Sequence, residues 1–120
     1  VKVVRFNSAD RYEPEKDWKR VSLCSEKDIS IEHFVKPPRH ASPHHGHPAA
    51  QILVVLQGKM SVTDDAGTRH VLAENDCIYI PGEALHTVTN ELDTPSVGLD
   101  IFVPGRSFDF WLKRSKKEIA

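Results

Sequence analysis

The sequence predicts an all-β sandwich or barrel. Three observations lead there. Short runs rich in β-branched residues recur along the chain, and turn signals separate them about every 8 to 12 residues. The chain has 120 residues, enough for one domain spanning 1–120. Apolar residues make up 39% of it, an ordinary share for a chain that builds a core.

The elements follow in order. Segment 1–20 is polar and mixed, with Phe6, Tyr12 and Trp18 spaced through it, and Pro14 among charges predicts loop. Segments 21–23 and 29–35 predict strands. In the second, Ile29, Ile31, His33 and Val35 share one face, and Ser30, Glu32 and Phe34 share the other. Pro37 and Pro38 stop it. Segment 39–48 is a loop or strand entry rich in Pro, His and Gly. Segment 51–56 is an apolar strand ending at Gly58, and 59–63 resumes as a strand. Asp64 to Gly67 form a hairpin turn, and 69–72 returns. Glu74, Asn75 and Asp76 make another turn. Segment 77–80 is a strand stopped by Pro81 and Gly82, and 86–89 and 96–103 are further strands. After Gly105 a short helix is expected, with Ser107 as its cap and Phe108, Trp111 and Leu112 at helical spacing.

Charge narrows the function classes. Lys and Arg total 16, Asp and Glu total 17, and the net charge is −1, which argues against a nucleic-acid binder. The run Lys113, Arg114, Lys116 and Lys117 reads as a solvated helix end. No apolar run approaches the roughly 18 to 20 residues of a bilayer span. The opening residues show no signal-peptide pattern. Cys24 and Cys77 form no CxxC pair, so free thiols and a cytoplasmic location are expected.

The histidines carry the chemistry. His45, His47 and Gln51 are separated by two and by four. On an extended strand, even separations put side chains on one face, so all three are expected to point into the barrel. Imidazole nitrogens suit divalent transition metals, and a side-chain carbonyl oxygen can complete the shell. The fourth ligand has to come from a neighbouring strand. His86 is the candidate, because it opens a strand just after the Pro81-Gly82 turn. His44 faces the other way on a regular strand. His33, His40 and His70 fit no pattern and read as ordinary hydrogen-bonded residues. The expected cofactor is one divalent ion, among Ni, Fe, Mn and Zn.

These residues resemble a known family. His45-Gly46-His47-Pro48-Ala49-Ala50-Gln51, followed by Gly58, is similar to the first cupin motif, HxH(x)3–4E(x)6G. Pro81-Gly82-Glu83-Ala84-Leu85-His86, with Asn90, is similar to the second, PxG(x)2H(x)3N. The motifs and the strands between them cover residues 39–90. The resemblance implies a double-stranded β-helix, or jelly roll, with the metal at its centre. Three positions depart from the pattern, because Arg39, Asn75 and Glu83 stand where the motifs carry glycine. Gln51 stands where most cupins carry Glu. A neutral amide leaves the ion one negative charge short, which favours Lewis-acid polarisation of oxygen over dioxygen chemistry. The alternative is a degenerate site in which Gln51 is no ligand.

The HxHPxxQ form resembles the KdgF-type cupins of pectin degradation. Their last strand ends in D-x-F-x-P-x-R, and Asp100-Ile101-Phe102-Val103-Pro104-Gly105-Arg106 resembles it. Those enzymes convert 4,5-unsaturated monouronates into the linear keto form. The resemblance implies that Asp100 is the catalytic acid/base, that Phe102 lines the pocket and that Arg106 helps bind the substrate. The alternative is a structural bridge between Asp100 and Arg106 at the barrel mouth. The expected activity is metal-dependent proton transfer on a small sugar acid. The competing readings are a cupin dioxygenase and a non-catalytic small-molecule sensor. A homodimer is expected, with Phe6, Phe108, Phe110 and Trp111 either at its interface or capping the barrel end.

Overall fold

The computed structural model describes residues 1–119, with side chains through Arg114. It shows an all-β double-stranded β-helix. The elements are a short 3-10 turn at Phe6–Ser8, then β1 (Arg11–Glu15), β2 (Trp18–Ser25), β3 (Ser30–Lys36), β4 (Ala50–Gln57), β5 (Met60–Asp64), β6 (Arg69–Leu72), β7 (Cys77–Ile80), β8 (His86–Asn90), β9 (Ser96–Val103) and the C-terminal helix α1 (Asp109–Ile119). Six strands form one antiparallel sheet in the order β1-β2-β3-β9-β4-β7, and three form the other in the order β6-β5-β8. Backbone bridges Ala41 to Thr89 and His45 to His86 tie the long loop before β4 to β8.

The strands from residue 51 onward match the sequence reading to within a residue or two. Segment 11–20 does not. It forms a hairpin rather than a loop, turning at Asp17, which takes φ 67°. Tyr12 explains it. Its side chain is buried, stacks on Trp111 at 5.3 Å and meets Trp18 edge-on at 5.9 Å. Pro14 is tolerated because β1 is an edge strand, where a missing N–H breaks no central ladder.

On β3 the buried face is the one bearing Ser30, Glu32, Phe34 and Lys36. Burying two charged residues on a central strand is costly unless the interior is itself polar. The register shows the reason. Glu32 lies opposite Asp100, and Asp100 lies opposite Leu53 on its other side. The barrel interior is thus divided along its length. Leu53, Val55, Met60, Val62, Leu72, Ile80, Val88 and Phe34 pack as an apolar floor. Gln51, Asp100 and Phe102 line the chamber above it, with Glu32 buried opposite Asp100 in the ladder. Gly98 lets Phe34 cross between the halves, since a Cβ there would fall 2.6 Å from the Phe34 ring.

Arg39, Asn75 and Glu83, the residues standing at motif glycines, adopt φ of 57°, 70° and 67°. The fold keeps the left-handed turn that glycine would supply and carries the strain of a Cβ instead. Glu83 is exposed and has no side-chain partner among the described residues. Glu83→Gly is therefore expected to stabilise the protein by about 0.5–1 kcal/mol, read as a rise in the denaturant midpoint.

Ser107 caps α1 as expected, its Oγ accepting from the Asp109 N–H at 3.2 Å. Phe108 is buried and Trp111 lies over Tyr12, so these two cap the barrel end. Phe110 and Phe6 remain largely exposed. Of the basic run, Lys116 and Lys117 lie outside the described side chains. No helix is long and apolar enough to cross a membrane.

Candidate metal centre and its cavity

His45 and His47, from the loop before β4, converge with His86 at the start of β8, one ring nitrogen of each lying within 4.8 Å of the others. In each ring Nδ1 faces a backbone carbonyl: Pro43 at 2.7 Å, Ala49 at 2.8 Å and Ala84 at 2.9 Å respectively. A carbonyl only accepts, so each Nδ1 carries the proton. That fixes the tautomer in which Nε2 presents its lone pair to the shared point. His86 Nε2 is buried with no hydrogen-bond partner. Burial holds the His86 imidazole below the usual histidine range, keeping it in the neutral, ligating form.

Gln51 completes the set. Its Nε2 donates to Asp100 Oδ1 at 2.7 Å, which turns its Oε1 toward His47 Nε2 at 3.0 Å. With the His47 proton on Nδ1, both of these atoms are acceptors. Two facing lone pairs and an orphaned third are what a cation satisfies. The residues present therefore fit a divalent ion, held by three imidazoles and an amide oxygen. His44 points away, its ring nitrogens near Thr87 Oγ1 (3.1 Å) and Asp65 Oδ1 (3.3 Å). His70 pairs with Asp64 at 2.9 Å, and His33 packs edge-on against Phe6.

The centre opens into a cavity of about 510 Å³ between the sheets, and Gln51, Asp100, Phe102 and Arg106 all line it. Phe102 is buried and meets the His47 ring edge-on at 5.4 Å. Asp100 and Arg106 do not pair with each other. Asp100 Oδ2 accepts from Arg20 Nη2 at 2.8 Å, so both its oxygens are held. Arg106 donates from Nε (3.2 Å) and Nη2 (3.0 Å) to Glu32 instead, and its guanidinium lies 4.1 Å from the Phe102 ring centroid. The structural bridge between Asp100 and Arg106 is thereby replaced by two bridges through residues that the sequence reading had not singled out.

Glu32 is the hub. Its Oε1 accepts from Arg20 Nη2 at 2.8 Å and from the Trp111 indole N–H at 2.8 Å, while Arg106 spans both oxygens at 3.0 Å. Burial opposes the Arg20 charge, and Asp100 and Glu32 outweigh it, so Arg20 is raised. Arg20 went unnoticed because its segment read as loop. Glu32 was visible as one of an alternating trio, but alternation alone does not say which face is inside.

Lys36 also faces the cavity, and His40 lies beside it with Nζ 2.8 Å from Nδ1. Burial first, and the Arg20 charge second, push its amine down to about 8, with Asp100 opposing. The unfolded chain thus binds more protons than the folded one between about 8 and 10.5, so this residue makes stability rise with pH across that window. Below it the buried ammonium is a standing cost. Lys36→Met is expected to raise stability at pH 7 by about 2–3 kcal/mol. The gain over wild type should shrink from pH 8 upward and vanish above 10.5, as paired denaturant titrations would show.

The comparisons agree with this fold. A family model described as a cupin domain matches residues 32–102. The structure of KdgF from Halomonas sp. superposes with a TM-score of 0.79 at 22% identity, covering 92% of this chain and 98% of that one. An RmlC-like cupin from Shewanella frigidimarina gives 0.78 at 21% identity, covering 92% and 96%. A cupin-superfamily sugar phosphate isomerase from Silicibacter pomeroyi gives 0.69 at 17% identity, covering 87% and 75%. No curated protein sequence matches significantly. At these identities the structures speak for the fold, while the family match spans more than half the sequence; the chain belongs to the cupin domain family.

Proposed function

We propose that the protein is a metal-dependent enzyme that moves a proton on a small sugar acid, and that ketonisation of 4,5-unsaturated monouronates is its reaction. One observation carries this reading. A carboxylate braced on both oxygens, Asp100, shares a cavity with three imidazoles whose lone pairs converge.

His45, His47, His86 and Gln51 would hold the ion. When bound there, a divalent ion supplies Lewis-acid stabilisation of negative charge developing on a substrate oxygen. Asp100 takes the proton of the anomeric hydroxyl as the C1–O5 ring bond breaks and C1 becomes the aldehyde, and delivers it to the olefinic carbon C4 as C5–O5 becomes the ketone. One proton moves from oxygen to carbon, no electrons are lost, and no oxidant is needed. Arg20 and Gln51 keep the carboxylate plane fixed during the transfer. Phe102 excludes water from the wall beside His47. Arg106, sandwiched against Phe102 and Phe110, adds positive potential for an anionic substrate.

The test is the loss of unsaturated-uronate absorbance, followed under anaerobic conditions with and without a chelator. A rate above uncatalysed ring opening that the chelator abolishes supports the proposal. A rate no faster than the uncatalysed one discards it. Dependence on oxygen would move the reading to a dioxygenase. An Asp100→Ala variant altered in stability alone would move it to a ligand-binding protein. A homodimer in the cytoplasm completes the proposal, supported by the exposed apolar residues Val3, Val4, Phe6 and Tyr79. Light scattering is expected to give twice the 13.5 kDa chain mass.

A further inference from the structure

The charges in and behind the cavity wall do not cancel. Arg20 and Arg106 are matched by Asp100 and Glu32, two against two. Lys36 is left over. It is only 8% exposed, yet its hydrogen-bond partner is a neutral acceptor, His40, and among the described residues no carboxylate lies at ion-pair distance from it. An uncompensated buried ammonium is retained against a stability cost.

Its position is built, not incidental. Lys36 ends β3 on the inward face, two residues beyond Phe34 and four beyond Glu32. The Asn90 side chain, fully buried, donates to the Lys36 and Pro37 carbonyls at 3.2 and 3.0 Å and pins the backbone there. His40 is anchored in turn, its N–H donating to the Pro37 carbonyl at 3.1 Å and its carbonyl accepting from the Asn90 N–H at 2.9 Å. Trp18 covers the His40 ring at 5.4 Å and joins the cavity wall. The carboxylate-matching Nε–Nη2 edge of Arg106 is meanwhile spent on Glu32.

We propose that Lys36, held by His40 and the Asn90 clasp, is the carboxylate subsite of this cavity and receives the acid group of the sugar-acid substrate. The inference rests on the reading above that the substrate is a sugar acid. A single buried ammonium matches a monoanionic carboxylate better than a phosphate dianion. The amine also feels the Asp100 charge, as does the His86 imidazole, which places Asp100 within electrostatic reach of both ends of the chamber. A substrate held by its acid group at Lys36 presents its ring to Asp100.

Calorimetric titration of the purified protein with D-galacturonate, D-galactose and inorganic phosphate tests this. Wild type is expected to prefer galacturonate over galactose by about 10- to 100-fold, the worth of a charge-assisted hydrogen bond. Lys36→Met should lose that preference while binding galactose unchanged, and Lys36→Arg should keep part of it. Because Lys36→Met is expected to melt higher than wild type, misfolding is not a competing explanation. Equal binding of the two sugars by wild type overturns the subsite, and so does undiminished galacturonate affinity in Lys36→Met. Tighter binding of phosphate than galacturonate overturns the carboxylate assignment. The uronate turnover assay separates this from the proposed reaction. Lys36-dependent galacturonate binding without turnover leaves the subsite standing and removes the reaction. Turnover with Lys36-independent binding does the reverse.

Discussion

Glu32→Ala is expected to lower the unfolding free energy by about 3–5 kcal/mol, the range for breaking a buried ion pair by removing one partner. The cost is that of a stranded charge. Glu32 is 1% exposed and takes hydrogen bonds from Arg20, Arg106 and Trp111. Without it Arg20 keeps Asp100, but Arg106 loses the carboxylate that both its Nε and Nη2 engage. Burial already pushes the Arg106 guanidinium down, with Glu32 opposing. Removing that opposition leaves a cation against the Phe102, Phe110 and Trp111 rings with no carboxylate hydrogen-bonded to it. The Trp111 indole loses its acceptor as well, so α1 should loosen from the barrel. Denaturant unfolding and indole fluorescence read the two effects together. A loss below about 1 kcal/mol would mean that the hub is solvated and worth no more than a surface pair.

The second large effect concerns the reaction. Asp100→Asn is expected to reduce kcat for uronate ketonisation by about 10²–10⁴-fold, the usual contribution of a positioned acid/base. The change keeps side-chain size and leaves an oxygen able to accept from Gln51. What it removes is the group that carries the proton. KM should move far less than kcat, because the substrate's acid group is bound elsewhere. Metal content should not fall, since Asp100 is no part of the three-histidine set. An equal loss through KM, or loss of the ion, would make Asp100 a binding or structural residue.

The sequence carried the strand order from residue 51 onward because each strand there is bounded by Gly, Pro or Asp and carries β-branched residues. The three histidines and Gln51 were legible through the motif spacing. They do not share a strand face, because His45 and His47 lie in the loop before β4, which bends at residues 48–49, and only Gln51 and His86 stand on strands. The N-terminal hairpin was hidden. Its stability comes from Tyr12 packing on Trp18 and Trp111, and Trp111 lies about a hundred residues away along the chain. The ion network was hidden for the same reason. Arg20 to Asp100 spans 80 residues and Arg106 to Glu32 spans 74, and no local pattern announces such pairs. The glycine substitutions at Arg39, Asn75 and Glu83 left loop geometry uncertain on paper, yet all three residues take the left-handed conformation. Tertiary packing outweighed the local preference there.

The most direct measurement is the metal content of the purified protein, by elemental analysis, in wild type and His86→Ala. His86 supplies a buried nitrogen of the centre that has no hydrogen-bond partner, so one divalent ion per wild-type chain and loss of that ion in the variant are expected. Wild type that remains metal-free after incubation with Ni, Fe(II), Mn and Zn would contradict it, as would a variant that binds one ion as tightly as wild type.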